Sequence, residues 1–397
     1  MKLSDSLDTD IDRYLHIVNT DPNVASPYVI SARSEGVIRA LLVCLLRKTK
    51  TSAIIAFVKI PGPFGTILEI LKNGRMGQRS SDIDKLMALQ ISNVLESERI
   101  DLLSLDCQPS HLDLVHCISE TTKLGFKRRI VYGSSGSLVP LISHDGNRPY
   151  VFSSKVLREI KRKTRILQRQ FPNRIIYRCF CSANEIKAGM CDAFSVATRS
   201  WQHPLGHGLV NSRQTREDLR FSSKKGWLRI YILYVDDVPC AYLIGELYRK
   251  TFYSRFAGFD IDFARYSVGC LVMHKALLEL ATSGAQQVDL GVGNSEYNRR
   301  LGCVQTDSIR MHGYAYTYCG QQLRLFFGAT QAVRTIGRKI LARFELNYIA
   351  KLWRNSLVRM VTFGPKGRLF EGRKAGLESC DHGDFTALQT DLRRRTN

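Results

Sequence analysis

The chain lacks any apolar run long enough to cross a bilayer. Its longest, Ala40–Leu46 and Ala53–Ile60, fall far short of the roughly 20 residues a spanning helix needs. Met1–Asn19 is acidic and polar and has no apolar stretch of the kind a secretion signal carries. The expected location is therefore the cytoplasm, or the periphery of the inner membrane face. The 11 cysteines are scattered, only Cys179 and Cys181 stand close together, and there is no C-x-x-C pair. Neither a zinc site nor a disulfide framework is indicated, and reduced thiols are expected. Acidic residues are scarce, 36 against 58 Lys and Arg, and the net charge of +22 favours anionic partners. Nucleic acid, an acidic membrane face, an anionic polysaccharide or a phosphate-rich cofactor all satisfy it. No long-period repeat is visible.

What is present is a globular composition, 44% hydrophobic and 24% charged over 397 residues, enough for two or three domains. Strand-like and helix-like segments alternate, which predicts α/β layers. Ala53–Ile60 reads as a short strand ended by Pro61-Gly62-Pro63. A helix capped by Ser81 or Asp82 runs to about Glu98, with Ile83, Leu86, Met87, Ile91 and Val94 at helical spacing. Leu102–Leu105 reads as a strand, Ser110–Lys123 as a helix and Lys127–Tyr132 as a strand.

The helix predicted over Lys155–Arg169 carries Lys155, Arg158, Lys161, Arg162, Lys163, Arg165 and Arg169 against Glu159, over a partial apolar stripe of Val156, Ile160 and Leu167. It either binds phosphates or is a solvated face. A boundary just before it divides the chain into residues 1–152, 153–320 and 321–397. Beyond it come a strand at Arg174–Cys179, a helix at Ala183–Arg199 and the loop Trp201–His207. Two strands follow, Trp227–Val235 and Pro239–Tyr248, joined at an Asp236-Asp237 turn. Gln321–Met360 reads as helix, with Phe326, Phe327, Ile336, Ile340, Phe344 and Trp353 among basic residues. It either lies on an anionic membrane or packs on the second unit. The last thirty or so residues, Gly-rich and polar, are predicted to be disordered.

The most informative stretch is Lys250–Cys303: a strand, a polar loop closing on Ser267-Val268-Gly269, a helix, a second strand ending in Asp289, then a glycine-punctuated turn carrying Tyr297. A strand feeding a small-residue turn into a helix presents orphan N–H groups and a positive dipole end together, a cradle for a pyrophosphate.

The residues Phe256-Ala-Gly-Phe259-Asp260, then Ala264-Arg265-Tyr266-Ser267-Val268-Gly269, then Val288-Asp289-Leu290-Gly291-Val292-Gly293 with Tyr297 and Arg299, resemble the cellulose-biosynthesis (CelD-like) acetyltransferases of the GNAT superfamily. The basic helix upstream is similar to one preceding that family's transferase domain. The resemblance covers about Tyr150 to Cys303. It implies a GNAT acyl-CoA N-acyltransferase fold of the α/β class, with acetyl-CoA as co-substrate and no metal. The donor's pyrophosphate would lie on the N–H groups around Arg265, Ser267, Val268, Gly269 and Cys270. The acceptor would be a small molecule or saccharide, in polysaccharide or cell-envelope synthesis. The family is also similar to the Fem-type aminoacyl transferases, with two GNAT-like units in tandem, which would make the N-terminal third a degenerate unit. Two residues differ from the pattern: Ser267 stands at the first glycine, and Val268 where the narrower family has proline. Backbone N–H groups bind pyrophosphate through either change.

Acyl transfer needs a proton acceptor for the nucleophile and an acid for the leaving thiolate. Tyr297 is the candidate acid, or else packs its turn. Asp289, at a strand C-terminus where α/β sites cluster, is a candidate base or binds amides of the Gly291–Gly293 turn. Glu246 is a further candidate base, or pairs with Arg249 or Arg255. His203 and His207 have a metal-ligand spacing, but Pro204 and Gly206 break the helix it requires, and the loop with Trp201 better suits an acceptor pocket. His274 falls on an apolar helix face and packs. Two alternatives stay open: a Fem-like transferase drawing on charged tRNA, and a non-catalytic accessory protein in a membrane-bound polysaccharide synthase complex.

Overall fold

The computed structural model describes residues 6–55, 58–107, 112–121, 131–132, 136–141, 154–172, 174–205, 208–292, 301, 303–306 and 309–343. They form two mixed sheets flanked by helices.

The first sheet has the order β1-β2-β3-β4-β13-β5. A 3-10 turn at Leu7–Thr9 and helix α1 (Ile11–Thr20) precede β1 (Val24–Ser34), β2 (Val37–Ile55) and β3 (Val58–Gly77), an antiparallel meander. Helix α2 (Ser81–Ser97) then crosses to β4 (Leu102–Cys107), parallel to β3, and α3 (Leu112–Thr121) packs beside α2. Alternation along β2 sends Leu42, Cys44 and Leu46 to a core with Met87, Ile91, Leu103 and Leu114. It sends Val43 and Leu45 to the opposite face, under Tyr14 of α1.

The second sheet has the order β12-β6-β11-β10-β9-β8-β7. Helix α4 (Ser154–Gln170) leads into β7 (Ile175–Phe180), α5 (Ile186–Thr198), α6 (Arg213–Lys224), β8 (Leu228–Val235), β9 (Val238–Tyr248) and β10 (Thr251–Phe259). After a 3-10 turn at Ile261–Tyr266, α7 (Val268–Thr282) crosses to β11 (Gln287–Val292), parallel to β10. Both faces are covered. Tyr231, Leu233 and Val235 of β8 pack with α4 and α7, whereas Leu228, Ile230 and Ile232 pack with α5 and α6. The β8–β9 turn, Asp236-Asp237, has both residues left-handed (φ 52° and 59°), as a two-residue hairpin turn of the right twist requires.

The sheets share one topology, a meander followed by a parallel pair joined through a helix. The next neighbour in each is an antiparallel strand that comes from the other part of the chain. In the first sheet β4 pairs with β13 (Ile309–Tyr314), which in turn holds β5 (Val131–Tyr132). In the second, β11 pairs with β6 (Gly136–Pro140), which in turn holds β12 (Val304–Thr306). Helix α8 (Tyr318–Arg343) then lies on β3, with Leu323 buried against Ile67, Leu102 and Tyr314.

Two expectations change. The segment Ala53–Ile60 is no short strand: it spans the junction of the two long strands β2 and β3, and Pro61 and Pro63 lie inside β3. They are accommodated because β3 pairs with β4 only over Ile67–Ile70, leaving the proline stretch at an edge where a missing N–H costs nothing. The strand expected to end at Asp289 continues to Val292. The expected helix beyond residue 343 and the expected disordered tail lie outside the described residues.

Candidate active site between two parting strands

Strands β10 and β11 pair for only three residues, Thr251–Tyr253 against Gln287–Asp289. Beyond that, β10 keeps β9 as its partner to Phe259, and β11, paired with β6 along its other edge from Gln287 onward, keeps β6 to Val292. Among the described residues no ladder closes the space between them. Above it the 3-10 turn is capped by Asp260, which accepts from the Asp262 amide at 3.0 Å and from Arg199 Nε at 2.6 Å. Ser267, left-handed at φ 58° and ψ 38°, swings the chain into α7. Its amide donates to the Ala264 carbonyl, and its own carbonyl accepts from Cys270 (2.9 Å) and Leu271 (3.2 Å).

The amides of Val268 and Gly269 take no backbone acceptor among the described residues and sit on the positive end of a 15-residue helix. A Cβ at Gly269 would stand 3.1 Å from Phe259 Cδ1, so glycine keeps this approach uncrowded. Helix α4 runs alongside. Lys163 Nζ donates to the Arg265 carbonyl at 3.1 Å, and Val156, Ile160, Lys163, Ser267, Cys270 and Leu301 help line a cavity of about 60 Å³. On the outer side of α4, Arg158, Lys161, Arg162, Arg165 and Arg169 border an open concavity of about 320 Å³.

At the other end of the cleft, register sets Glu246, Tyr253 and Asp289 opposite one another on three adjacent strands, so all three share one face. Glu246 has no exposed surface. Its Oε1 accepts from Arg13 Nη1 at 2.7 Å, from Arg255 Nη1 at 3.1 Å and from the Ser222 hydroxyl. Burial alone would push its pKa up, but Arg255 and Arg13 hold it below the usual carboxylate range.

Asp289 Oδ1 accepts from the Gly291 amide at 2.8 Å, and its Oδ2 lies 3.6 Å from Lys72 Nζ. Lys72 reaches across from the first sheet because β3 bulges. Leu42 pairs with Arg75 and Cys44 with Ile70, so residues 71–74 stand against Val43 alone, and Asn73 is left-handed. Glycine is required in this bulge: a Cβ on Gly74 would lie 2.8 Å from the carbonyls of Leu71 and Val43.

The N-terminal segment closes this end. The Tyr253 hydroxyl is held by the Leu7 backbone and the Ser6 side chain. Tyr248 donates to Asp10 Oδ2 at 2.9 Å, and His16 meets Asp218 at 3.0 Å and stacks on Phe221. Asp8 lies among Lys72, Arg13, Asp289 and Glu246. Its pKa is raised by burial first and by the two carboxylates, against the pull of Lys72 and Arg13.

The structure thus brings Glu246 and Asp289 together and sets Ser267, Val268 and Gly269 at the opposite end of the same cleft. Cys270 spends its amide inside the turn, which narrows the expected cradle to Val268 and Gly269. The Arg265 guanidinium stacks over Tyr266 at 4.6 Å. Glu246 pairs with Arg255 but not with Arg249, which stacks over Tyr248. A carboxylate held low by two guanidinium groups is a poor proton acceptor near neutrality. Tyr297 and His207 lie outside the described residues. His203 sits in a 3-10 turn, and no cluster of three or more metal-ligating side chains occurs among the described residues. No described helix is long and apolar enough to cross a membrane. Sequence reasoning missed Asp8, Lys72, Tyr253 and Arg13, whose role depends on contacts between the two parts of the chain.

Residues 154–299 match the family described as an acetyltransferase (GNAT) domain. The protein therefore has a mixed α/β architecture of two sheets and carries a GNAT-type acyltransferase domain. Among solved structures it is similar to L-PGS from Bacillus licheniformis (11% identity, 82% of this chain and 97% of that one, TM-score 0.49). It is also similar to FemX (9%, 72% and 87%, 0.47) and to a tandem GNAT protein from the clavulanic acid biosynthesis pathway (10%, 79% and 90%, 0.46). No curated protein matches the chain.

Proposed function

We propose that the protein moves an acyl group, most simply acetyl, from acyl-coenzyme A to an amine or hydroxyl. The acceptor would be a polysaccharide or cell-envelope precursor, as the cellulose-biosynthesis-like resemblance implies. The observation that carries this reading is the parting of β10 and β11 beside the α7 N-terminus, where the Val268 and Gly269 amides take no backbone acceptor among the described residues. Those two amides would hold the donor's pyrophosphate, with Lys163 as the nearest cation on α4. From Phe259 down β10 to Tyr253 is 259 − 253 = 6 residues, about 20 Å at the rise of a strand. An arm of that order separates pyrophosphate from thioester in a coenzyme A thioester, so the acyl carbon would arrive beside Tyr253, Asp289 and Glu246. The donor supplies the activated acyl group; the chain's residues orient it, exclude water and handle the acceptor's proton.

The second unit is the catalytic one in this reading. The first has no equivalent vacancy: α2 begins with Asp82 and Asp84 in its first turn, and Arg75 Nε donates to Asp84 Oδ1 at 2.9 Å. That helix terminus is already neutralised by its own carboxylates. Acetyl-coenzyme A is expected to raise the melting temperature by binding the folded state. Gly269→Glu, whose carboxylate would occupy the phosphate position, should abolish the shift. A wild-type protein indifferent to coenzyme A overturns the reading.

The outer face of α4 favours a second one. No ion pair engages Lys161, Arg162, Arg165 or Arg169 among the described residues, and that suits a donor carried on tRNA. Salt-sensitive tRNA binding without a response to coenzyme A would select it.

A further inference from the structure

We propose that Asp8, contributed by the first unit, is the proton acceptor for the attacking nucleophile in the second unit's cleft. This rests on the acyl-transfer reading above. Asp8 is carried to the cleft by the 3-10 turn Leu7–Thr9, which packs on β3. The turn is pinned on both sides: Leu7 and Ser6 hold the Tyr253 hydroxyl, and Ser6 Oγ accepts from Asn73 Nδ2 in the β3 bulge at 3.4 Å. Tyr253 is the last β10 residue paired with β11, so the turn that carries Asp8 is anchored on the side chain of the residue at which the two strands begin to part.

Elimination points the same way. Asp289 is committed to the Gly291 amide and faces Lys72. Glu246 commits its Oε1 to Arg13, Arg255 and Ser222; its Oε2 takes no partner among the described residues, but the two guanidinium groups hold the whole carboxyl low. Asp10 accepts from two amides of α1 and from Tyr248. The Asp8 carboxylate accepts no hydrogen bond from any described residue. The charged groups that act on it come from every element around it: Lys72 on β3, Arg13 on α1, Glu246 on β9 and Asp289 on β11. Burial and the two carboxylates raise its pKa, the direction that suits a base working near neutrality.

In the step itself, Asp8 takes the proton from the acceptor N–H or O–H while the acceptor's lone pair forms the bond to the acyl carbon. The C–S bond breaks, and its electron pair leaves on sulfur as a thiolate. The proton on Asp8 passes to water, and the thiolate takes one from water, so acyl donor and acceptor become acylated acceptor and free thiol.

The test compares the full-length wild type with Asp8→Asn and Lys72→Met. Thiol release from acetyl-coenzyme A is followed across the acid range, with glucosamine and with water as acceptors. Asp8→Asn should lower kcat/KM at least about a hundredfold and erase the acid limb of the pH profile, while keeping the thermal shift with acetyl-coenzyme A. Lys72→Met, which removes a charge that favours the ionised form, should move that limb to higher pH. A rate within about twofold of wild type with the acid limb intact overturns the assignment.

A second readout needs no turnover. In an NMR difference titration of aspartate-labelled protein, wild type minus Asp8→Asn, the Asp8 signal should titrate above the ordinary value of about 3.9. Titration at or below that value overturns the assignment. Absence of any acetyl-coenzyme A shift in the wild type instead overturns the donor reading on which it rests.

Discussion

Glu246 shows how a single buried charge ties two parts of the molecule together. Its two guanidinium partners come from opposite directions, Arg255 from the neighbouring strand and Arg13 from α1. Removing one leaves an ionised group in the core with half its compensation. Arg13→Met is expected to cost about 3 kcal/mol, read as a lower urea midpoint at unchanged m-value. The pH dependence has a definite sign. A carboxylate whose folded pKa is depressed adds stability that is present above its unfolded value of about 4.3 and lost as pH falls through the folded value. With Arg13 gone the folded pKa moves up, so acid unfolding of the variant should begin at higher pH than in the wild type. Glu246 was legible in the sequence as a candidate base, and Arg255 as one candidate partner. Arg13 was not, because it lies 233 positions away and nothing in local periodicity signals a contact of that range.

Among the elements, those governed by local rules matched their sequence patterns closely. Helix α2 spans Ser81–Ser97 with Met87 and Ile91 buried, although Ser80 rather than the expected Ser81 or Asp82 stands at its N-cap and Leu86 of the expected stripe faces solvent; the Asp236-Asp237 turn takes the conformation its hairpin demands. Strand β10, the helix after it and strand β11 were also legible as elements, though their parallel pairing and the continuation of β11 to Val292 were not. The β3 bulge was not. Its signature, Leu71-Lys72-Asn73-Gly74, looks like an ordinary loop, and only pairing with β2 turns it into a device that carries Lys72 to Asp289. Gly74→Ala would push a methyl into two backbone carbonyls at 2.8 Å, and no flexible side chain is there to yield. The expected outcome is a destabilisation of about 1–3 kcal/mol, seen as a lower melting temperature. A loss of acyl-transfer rate should accompany it, because the bulge also holds Asn73 against Ser6.

On the scale of the whole molecule, the alternation of strands and helices foretold α/β layers, but no pattern in the sequence revealed which strand joins which sheet. Sheet membership does not follow a cut near residue 152: β6 lies before it and belongs to the second sheet, while β13 lies far beyond it and belongs to the first. Fragments 1–152 and 153–397 expressed separately should therefore each lack an interior strand and show no cooperative melt by circular dichroism. Co-expressed, they should purify together. Independent cooperative melting of both pieces would refute this.

The same exchange fixes the order in which the chain can mature as it is made. Cys107 pairs with Ile309, so β4 must wait through 309 − 107 = 202 residues of synthesis for its neighbour. Until then its unpaired edge is exposed to other nascent chains, and a contact that distant closes slowly. The first sheet to begin is thus the last to finish, because the second sheet receives its final strand, β12, before β13 is made, and a ribosome that stops before β12 releases a chain with neither sheet complete.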